Sequence, residues 1–310
     1  MVRRSRGVAA ITALLIVAIA ASAAMYMLSQ QSALLGQVVL VTARAQADLY
    51  ARAGIDWARG VVSADGKGSG GFDSLGEAWA QPIAALPVER ALVAGSLADE
   101  QGKFNLNNLV GADKKVSAND EKIARRLFAS LGVPEELVPA IVDWIDADSD
   151  LYTTAGAEDA YYLGLSRPYR AANQPMVQVE ELHRIRGFDP KVVARLKPFV
   201  TALPVRTAVN VNTASAEVIA AIAPDLPTEE IRRFVDTRTA SPLKSIQQIS
   251  ERWKALPLSA VGNDLDVKTS YFLARVQVSQ DDVQVASEAL IERKANNPGV
   301  AAIIWRRPVY

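Results

Sequence analysis

Carboxylate side chains form the densest group of potentially reactive residues in the chain. Asp146, Asp148 and Asp150 alternate along one short stretch, and Glu158 and Asp159 follow soon after it. Closely spaced carboxylates repel one another unless water solvates them or a cation neutralises them. Calcium takes about six to eight hard oxygen ligands, which is roughly what such a loop offers. The spacing therefore predicts a candidate calcium site.

The same stretch departs from a standard EF-hand loop at two positions. Leu151 stands where the turning glycine belongs, and Ala157 stands where the bidentate glutamate belongs. A solvated helix end explains these carboxylates without any ion, so both interpretations stay open at this point. Acid–base catalysis by paired carboxylates is less favoured, because nothing nearby indicates a substrate pocket.

Composition excludes several other kinds of site. The chain has no cysteine, and His183 is its only histidine, which excludes a zinc site and a histidine-based catalytic triad. Lysine and arginine together number 34, as do aspartate and glutamate, so no net charge draws the chain to nucleic acid. No group of residues indicates an enzyme.

The acidic stretch lies in a long segment, residues 113–263, that has the pattern of short helices. Ser117-Ala118-Asn119-Asp120-Glu121 caps one helix, and Asn210-Val211-Asn212-Thr213-Ala214-Ser215 caps another. Pairs of such helices joined by tight turns repeat along the segment. The pattern predicts an all-α insert made of helix-hairpin-helix (SAM-like) units.

One of these pairs, residues 210–247, resembles the helix-hairpin-helix that binds DNA phosphates. Such hairpins present glycines, which let backbone N–H groups approach phosphate, followed by lysines. Here the turn carries Pro224, Leu226 and Glu229 instead. Proline lacks a donor, leucine blocks close approach, and the carboxylate repels phosphate. We therefore expect the pair to be a packing unit or a protein-binding surface, with no nucleic acid bound.

Strand patterns flank the helical segment on both sides. Polar and apolar residues alternate along a closing meander, which must share a sheet with the earlier strands to avoid an unburied face. The prediction is an α+β head formed by residues 63–112 and 264–310. Its expected strands cover 87–97, 103–109, 269–278, 283–293 and 300–305.

The N-terminus predicts a membrane segment. Arg3, Arg4 and Arg6 precede Gly7, and residues 8–28 carry no charge, which is long enough to cross a bilayer core of about 30 Å. Arginine on one side only predicts a cytoplasmic N-terminus. Three interpretations compete: an uncleaved anchor, a signal peptide cut near residues 21–23, and a prepilin-type leader cut after Gly7.

The sequence after the membrane segment favours a continuing helix. Residues 29–62 contain no proline, and apolar residues at helical spacing mark one face of an amphipathic helix. This face comprises Leu35, Val38, Ala45, Leu49, Ala53 and Trp57. A secretory signal peptide is normally followed by unrelated mature sequence, so a single helix from residue 8 to residue 62 argues against a signal peptide. The uncleaved anchor and the prepilin-type leader both stay open.

The chain carries six motifs in order, at residues 6–15, 101–109, 143–146, 156–162, 180–188 and 211–214. Each is weak alone, but their combination covers nearly the whole chain. Taken together, they resemble general secretion pathway protein K, the large minor pseudopilin of type II secretion systems.

The resemblance implies a pseudopilin fold with a large α insert, placed in a tip complex with minor pseudopilins I and J. It implies calcium binding around the acidic stretch, with Asp146, Asp148, Asp150, Glu158 and Asp159 as candidate ligands. It also implies a single-pass inner-membrane protein with its C-terminal domain in the periplasm. A membrane-tethered DNA receptor of the competence type remains the alternative.

A prepilin-type leader implies how the chain would be cleaved and where it would be placed in the pseudopilus. A prepilin peptidase would cut between Gly7 and Val8, which makes residues 1–7 the leader and Thr12 the fifth mature residue. Most pseudopilins resemble one another in having glutamate there, which pairs with the N-terminal ammonium of a neighbour. Thr12 has no charge for this pairing, so we expect one copy at the pseudopilus tip, where it helps to initiate assembly and protein export.

Overall fold

The computed structural model describes residues 5–68, 70–257 and 259–309. The first four residues of the expected leader lie outside the described ranges. The structure is α+β, as expected: a long N-terminal helix packs against an antiparallel sheet, and an α-rich part is inserted between two neighbouring strands.

The N-terminal helix α1 runs from Ser5 to Gly68, a length of about 96 Å at 1.5 Å per residue. It continues beyond residue 62 into a stretch expected to be a loop. The last turns are held by the head: the Ser63 hydroxyl donates to Gly299 O, and Asp65 pairs with Arg293 at 2.7 Å. These contacts explain why a glycine-containing stretch stays helical.

The face of α1 that packs on the sheet is not the face identified from the sequence. Leu35, Leu49 and Trp57 are 66%, 61% and 57% exposed. The buried stripe is mostly alanine at spacings of three and four residues, because small side chains let the helix approach the sheet closely. It consists of Ala43, Ala47, Ala51, Ile55, Ala58 and Val62. The larger apolar residues are left on the opposite side, which we call the outer stripe.

Five antiparallel strands form the main sheet in the order β1-β2-β7-β8-β9. The expected pairing of early and late strands is confirmed: β2 pairs with β7 over their whole length, from Ala91↔Gln280 to Asp99↔Phe272. Left-handed backbone at Glu89 and Asp281 closes the two tight hairpins. The strands are β1 (Ile83–Val88), β2 (Ala91–Asp99), β7 (Tyr271–Gln280), β8 (Val283–Arg293) and β9 (Ala301–Val309).

The sheet runs along α1, so the two ends of the head can be placed relative to the membrane segment. Gln280 donates to Gln46 at one end of the sheet, and Arg293 pairs with Asp65 at the other. These two helix positions are about 28 Å apart at 1.5 Å per residue. The chain leaves the sheet at Asp99 and returns at Tyr271, and both residues lie at the Asp65 end. The α-rich part is therefore attached at the end far from the membrane segment.

The α-rich part has one hydrophobic core, which includes buried residues from Phe104 to Val267. The expected domain boundaries at residues 112/113 and 263/264 stay a prediction. The helices are α2 (Ala118–Ser130), α3 (Val138–Ile145), α4 (Asp159–Tyr162), α5 (Pro190–Leu196), α6 (Ala216–Ile222), α7 (Thr228–Thr237) and α8 (Ile246–Arg252). The caps predicted at Ser117 and Ser215 are confirmed. The helix expected to open at Val179 is a 3₁₀ helix, Val179–Arg184.

Two short parallel strand pairs are built into this part. The expected strand over residues 103–109 is much shorter: β3 (Phe104–Asn105) pairs with β4 (Val200–Thr201), and a 3₁₀ turn follows. A second pair joins β5 (Val209–Asn210) to β6 (Leu265–Asp266). In each pair an asparagine ends the earlier strand, β3 or β5, and a second asparagine follows two residues later. The same arrangement therefore occurs twice.

Candidate metal centre

Three buried carboxylates converge where α3 ends and α4 begins. Asp143 lies in the last turn of α3, Asp146 is its C-cap, and Glu158 is the N-cap of α4. Each offers a carboxylate oxygen, and these oxygens lie within 4.8 Å of one another. Their exposed fractions are 0%, 6% and 4%. We call this group the acidic triad.

Helix geometry explains how two of the three carboxylates meet. Asp143 and Asp146 are three residues apart, a spacing that places side chains on the same side of a helix end. The loop between α3 and α4 folds back over them, and Tyr152 N donates to the Asp143 carboxylate at 2.8 Å. A Cβ at position 156 would overlap the same carboxylate, so only glycine fits there. The loop therefore delivers Glu158 to the helix end.

The acidic triad is electrostatically unfavourable without a counterion. Burial, followed by repulsion from neighbouring carboxylates, raises the pKa of Asp146 to about 6 and that of Glu158 to about 7. Burial also raises the pKa of Asp143. One oxygen of Asp143, one of Asp146 and both of Glu158 have no hydrogen-bond donor. Buried polar atoms without partners are costly, so these oxygens are placed as ligands would be.

The donor set suits a hard cation. It consists of carboxylate oxygens alone, which are the ligands calcium and magnesium prefer, whereas zinc prefers nitrogen or sulfur. Three carboxylates supply three to six oxygens, depending on how many bind bidentately, and the rest of a calcium shell can come from water and backbone carbonyls. The residues present therefore fit a calcium ion.

The structure places the five expected ligands in different environments. Asp146 and Glu158 belong to the acidic triad, while Asp148 and Asp150 are exposed. Asp148 accepts from Asp150 N within the loop. Asp159 accepts from Ala171 N and pairs with Arg170 at 3.3 Å, so its carboxylate is used elsewhere.

Asp143 was not among the candidate ligands from the sequence. Its three-residue spacing from Asp146 at a helix end was the signal that could have identified it. The alternating acidic residues drew attention to the loop instead, whose later members point into solvent.

The processing positions lie in the exposed start of α1. Gly7 and Val8 are helical and exposed. The Thr12 hydroxyl donates within the helix, to Val8 O at 3.1 Å and to Ala9 O at 3.0 Å. The helix that carries them is long and apolar enough to cross a membrane.

Comparison with known proteins agrees with this architecture. Models of type II secretion system protein K match residues 102–205, which contain the acidic triad, and residues 209–275. The type II secretion system protein K of Aeromonas hydrophila is 33% identical over 95% of both chains. That of Pseudomonas aeruginosa is 34% identical over 94% of this chain and 90% of the relative.

This chain belongs to the type II secretion system protein K family. It is therefore a minor pseudopilin of type II secretion, a family of structural components of the secretion system. A solved structure is also similar: the chain matched in the crystal structure of the GspK-GspI-GspJ complex from enterotoxigenic Escherichia coli has a TM-score of 0.68 and 25% identity, covering 86% of this chain and 96% of that one.

Proposed function

We propose that this protein K family member forms the tip of the secretion pseudopilus, where it helps to initiate assembly and the export of folded proteins across the outer membrane. One observation carries the proposal: the α-rich part extends the head at the end far from the membrane segment. In a helical array of subunits, the α-rich part would occupy the space in which the next subunit must pack. At the end of the filament it has room.

The start of α1 supports the same position. A glutamate at the fifth mature residue would bring a charge into the bilayer and need a cationic partner from a neighbour. Thr12 brings no charge, and its hydroxyl is satisfied by its own helix. A subunit without this pairing group is better suited to an end of the filament than to its interior.

Minor pseudopilins I and J are the proposed partners, because the related chain was crystallised in a GspK-GspI-GspJ complex. The outer stripe of α1 gives their helices an apolar surface on which to pack. Beside it lies an apolar cleft of about 510 Å³ between α1 and the β1–β2 hairpin, lined by residues that include Trp57, Leu86 and Val93. Burying such surface is the main favourable contribution to association.

We further propose that a prepilin peptidase removes residues 1–7 and that α1 then holds the protein in the inner membrane with its C-terminal domain in the periplasm. The helix-hairpin-helix (SAM-like) pairs would serve as packing units without enzymatic activity. Calcium, held by Asp143, Asp146 and Glu158, would fasten the loop between α3 and α4 to the helix end.

The tip position can be tested by single-site labelling, because the chain has no cysteine. An Arg233→Cys variant places one thiol on an exposed side chain of α7. Pseudopili containing it, treated with maleimide-coupled gold, are expected to carry label at one end only when viewed by electron microscopy. The cysteine-free parent is the control, and label at regular intervals along the shaft contradicts the proposal.

Mass spectrometry of the purified protein tests the processing step. The mature chain is expected to begin at Val8. A chain that begins near Ala24 would indicate an ordinary signal peptidase and would remove the basis for pseudopilus assembly.

A further inference from the structure

A second polar site lies on the α-rich part, outside the acidic triad. A cleft of about 290 Å³ opens between the end of the 3₁₀ helix Val179–Arg184 and the segment that follows α4. Its lining includes His183, Arg184 and Arg186 on one side and Tyr161 and Tyr169 on the other. All three basic side chains are exposed.

Neither arginine has a carboxylate partner among the described residues, and the Arg186 side chain is held in place. Arg186 lies over the Tyr161 ring, 5.1 Å from its centroid, and donates to Gly156 O at 3.1 Å. Tyr169 donates to the carbonyl of Arg184 at 2.6 Å, which fixes the backbone at that residue. Neither guanidinium forms an ion pair with any carboxylate in the described ranges of the chain.

The acidic residue in the cleft is already engaged. Asp189 caps α5, and its carboxylate accepts from Val192 N at 2.8 Å. Ile185, between the two arginines, is buried and anchors the segment that carries them. The cleft therefore presents two guanidinium groups without an ion-pair partner among the described residues, and that of Arg186 is held in place.

Carboxylates are the ligands that such a cleft suits best. Guanidinium groups bind carboxylates through paired, charge-assisted hydrogen bonds, and little ordering cost remains for Arg186, whose side chain is already held. Tyrosine rings add apolar contact area for a peptide backbone. We propose that this cleft binds an acidic segment of a protein partner, with aspartate or glutamate side chains seated between Arg184 and Arg186.

A lipid surface is a poorer match. The α-rich part is attached at the end of the head far from the membrane segment, so bilayer headgroups are remote from the cleft. Nucleic acid is also disfavoured, because the chain has equal numbers of basic and acidic residues and the lining of the cleft includes only three basic side chains.

The test uses the full chain in detergent micelles and a fluorescein-labelled hexaglutamate peptide, followed by fluorescence anisotropy. We expect saturable binding that weakens as salt rises from about 50 to about 300 mM, since ion pairs at an exposed cleft are screened. The Arg184→Gln/Arg186→Gln double variant should bind about tenfold more weakly. A hexaglutamine peptide should not bind.

An Arg232→Gln/Arg233→Gln double variant is the matched control, because it removes the same charge from exposed positions on α7. It should bind hexaglutamate within about twofold of the parent. The Arg184 side chain forms no hydrogen bond or ion pair with any described residue, so the loss of about fivefold expected for the single Arg184→Gln variant cannot be attributed to unfolding. Equal weakening by both double variants overturns the proposal, as does absence of hexaglutamate binding. Tighter binding of an oligonucleotide or of anionic lipid vesicles through Arg184 and Arg186 also overturns it.

Discussion

Asn107 and Asn212 occupy equivalent positions in the two halves of the α-rich part. Each follows a two-residue strand, and each side chain closes a ring of hydrogen bonds with one distant backbone residue. The Asn107 side chain exchanges two bonds of 2.9 Å with Met176, and that of Asn212 exchanges bonds of 2.8 and 2.9 Å with Leu243. The two halves thus repeat one way of tying a loop to a strand end.

Removing either asparagine side chain should destabilise the protein by a similar amount. Asn107→Ala and Asn212→Ala each leave buried backbone groups without partners, which costs about 2 to 4 kcal/mol for several lost bonds. The expected fall in melting temperature is about 5 to 10 °C for each variant, measured by thermal denaturation of the detergent-solubilised chain. Asn296→Ala, in an exposed turn, is the control and should change the melting temperature little. A small effect of both buried variants would contradict this account of the repeat.

Calcium should raise the melting temperature of the parent protein by binding to the folded state alone. Glu158→Gln should abolish most of this increase, because it removes a carboxylate from the acidic triad. The same variant should melt at a higher temperature than the parent when both are free of calcium, since it relieves repulsion between buried carboxylates. Differential scanning calorimetry with and without a chelator measures both effects.

Asp150→Asn is the matched control for the metal site. Its carboxylate is exposed and outside the acidic triad, so the increase in melting temperature with calcium should be retained. Asp146→Asn should behave as Glu158→Gln does. If Asp150→Asn lost the increase and Asp146→Asn retained it, calcium would bind in the exposed loop and not at the acidic triad.

Stability should fall as the pH rises from about 3.8 to about 6 because of Asp99 at the end of β2. Burial raises its pKa from 3.8 to about 6, although the Thr213 hydroxyl and Gln101 N donate to it. The folded state therefore holds this proton more tightly than the unfolded state. The resulting stability of about 2 to 3 kcal/mol is complete below pH 3.8 and is lost as the pH rises through about 6. Asp99→Asn should flatten this dependence when melting is followed in saturating calcium, and an unchanged slope would exclude Asp99 as its source.

Duplex DNA should not bind specifically to this protein. In the turn between α6 and α7, Leu226 is buried and Pro227 leads directly into the helix, so the turn offers no row of free N–H donors to phosphate. Electrophoretic mobility shift with the full chain should show no micromolar complex. Salt-sensitive binding that is lost when basic residues near this turn are replaced would favour the competence-type alternative.

The parts of the fold that follow from local pattern could be predicted from the sequence. Ser117 and Ser215 cap helices through bonds within three residues, and alternation along residues 271–293 specifies a half-buried strand pair. The packed face of α1 could not be predicted in this way. Its alanines carry little hydrophobic signal, whereas the larger residues of the outer stripe carry most of it, and only the sheet decides which stripe is buried.

The candidate site, too, could be predicted from the sequence only in part. The acidic stretch marks the correct region, because a high density of carboxylates is visible in composition alone. The buried carboxylates of the acidic triad come together only because the chain reverses direction. Gly156 lets the loop close over Asp143, which brings Glu158 back to the helix end. Such closure is a property of three-dimensional packing and has no periodic signature.

The attachment of the α-rich part has a mechanical consequence. Both chain connections enter the sheet at one end, through β2 and β7, and each of these strands is hydrogen-bonded on both sides. The strands run along α1, so an axial thrust or pull on the α-rich part loads their hydrogen bonds in shear, many at once, and not one after another. At that same end Arg293 joins Asp65 of α1 to Asp73, which lies beside the entry points. Force applied to the α-rich part would thereby reach the long helix through this ion pair as well as through the sheet.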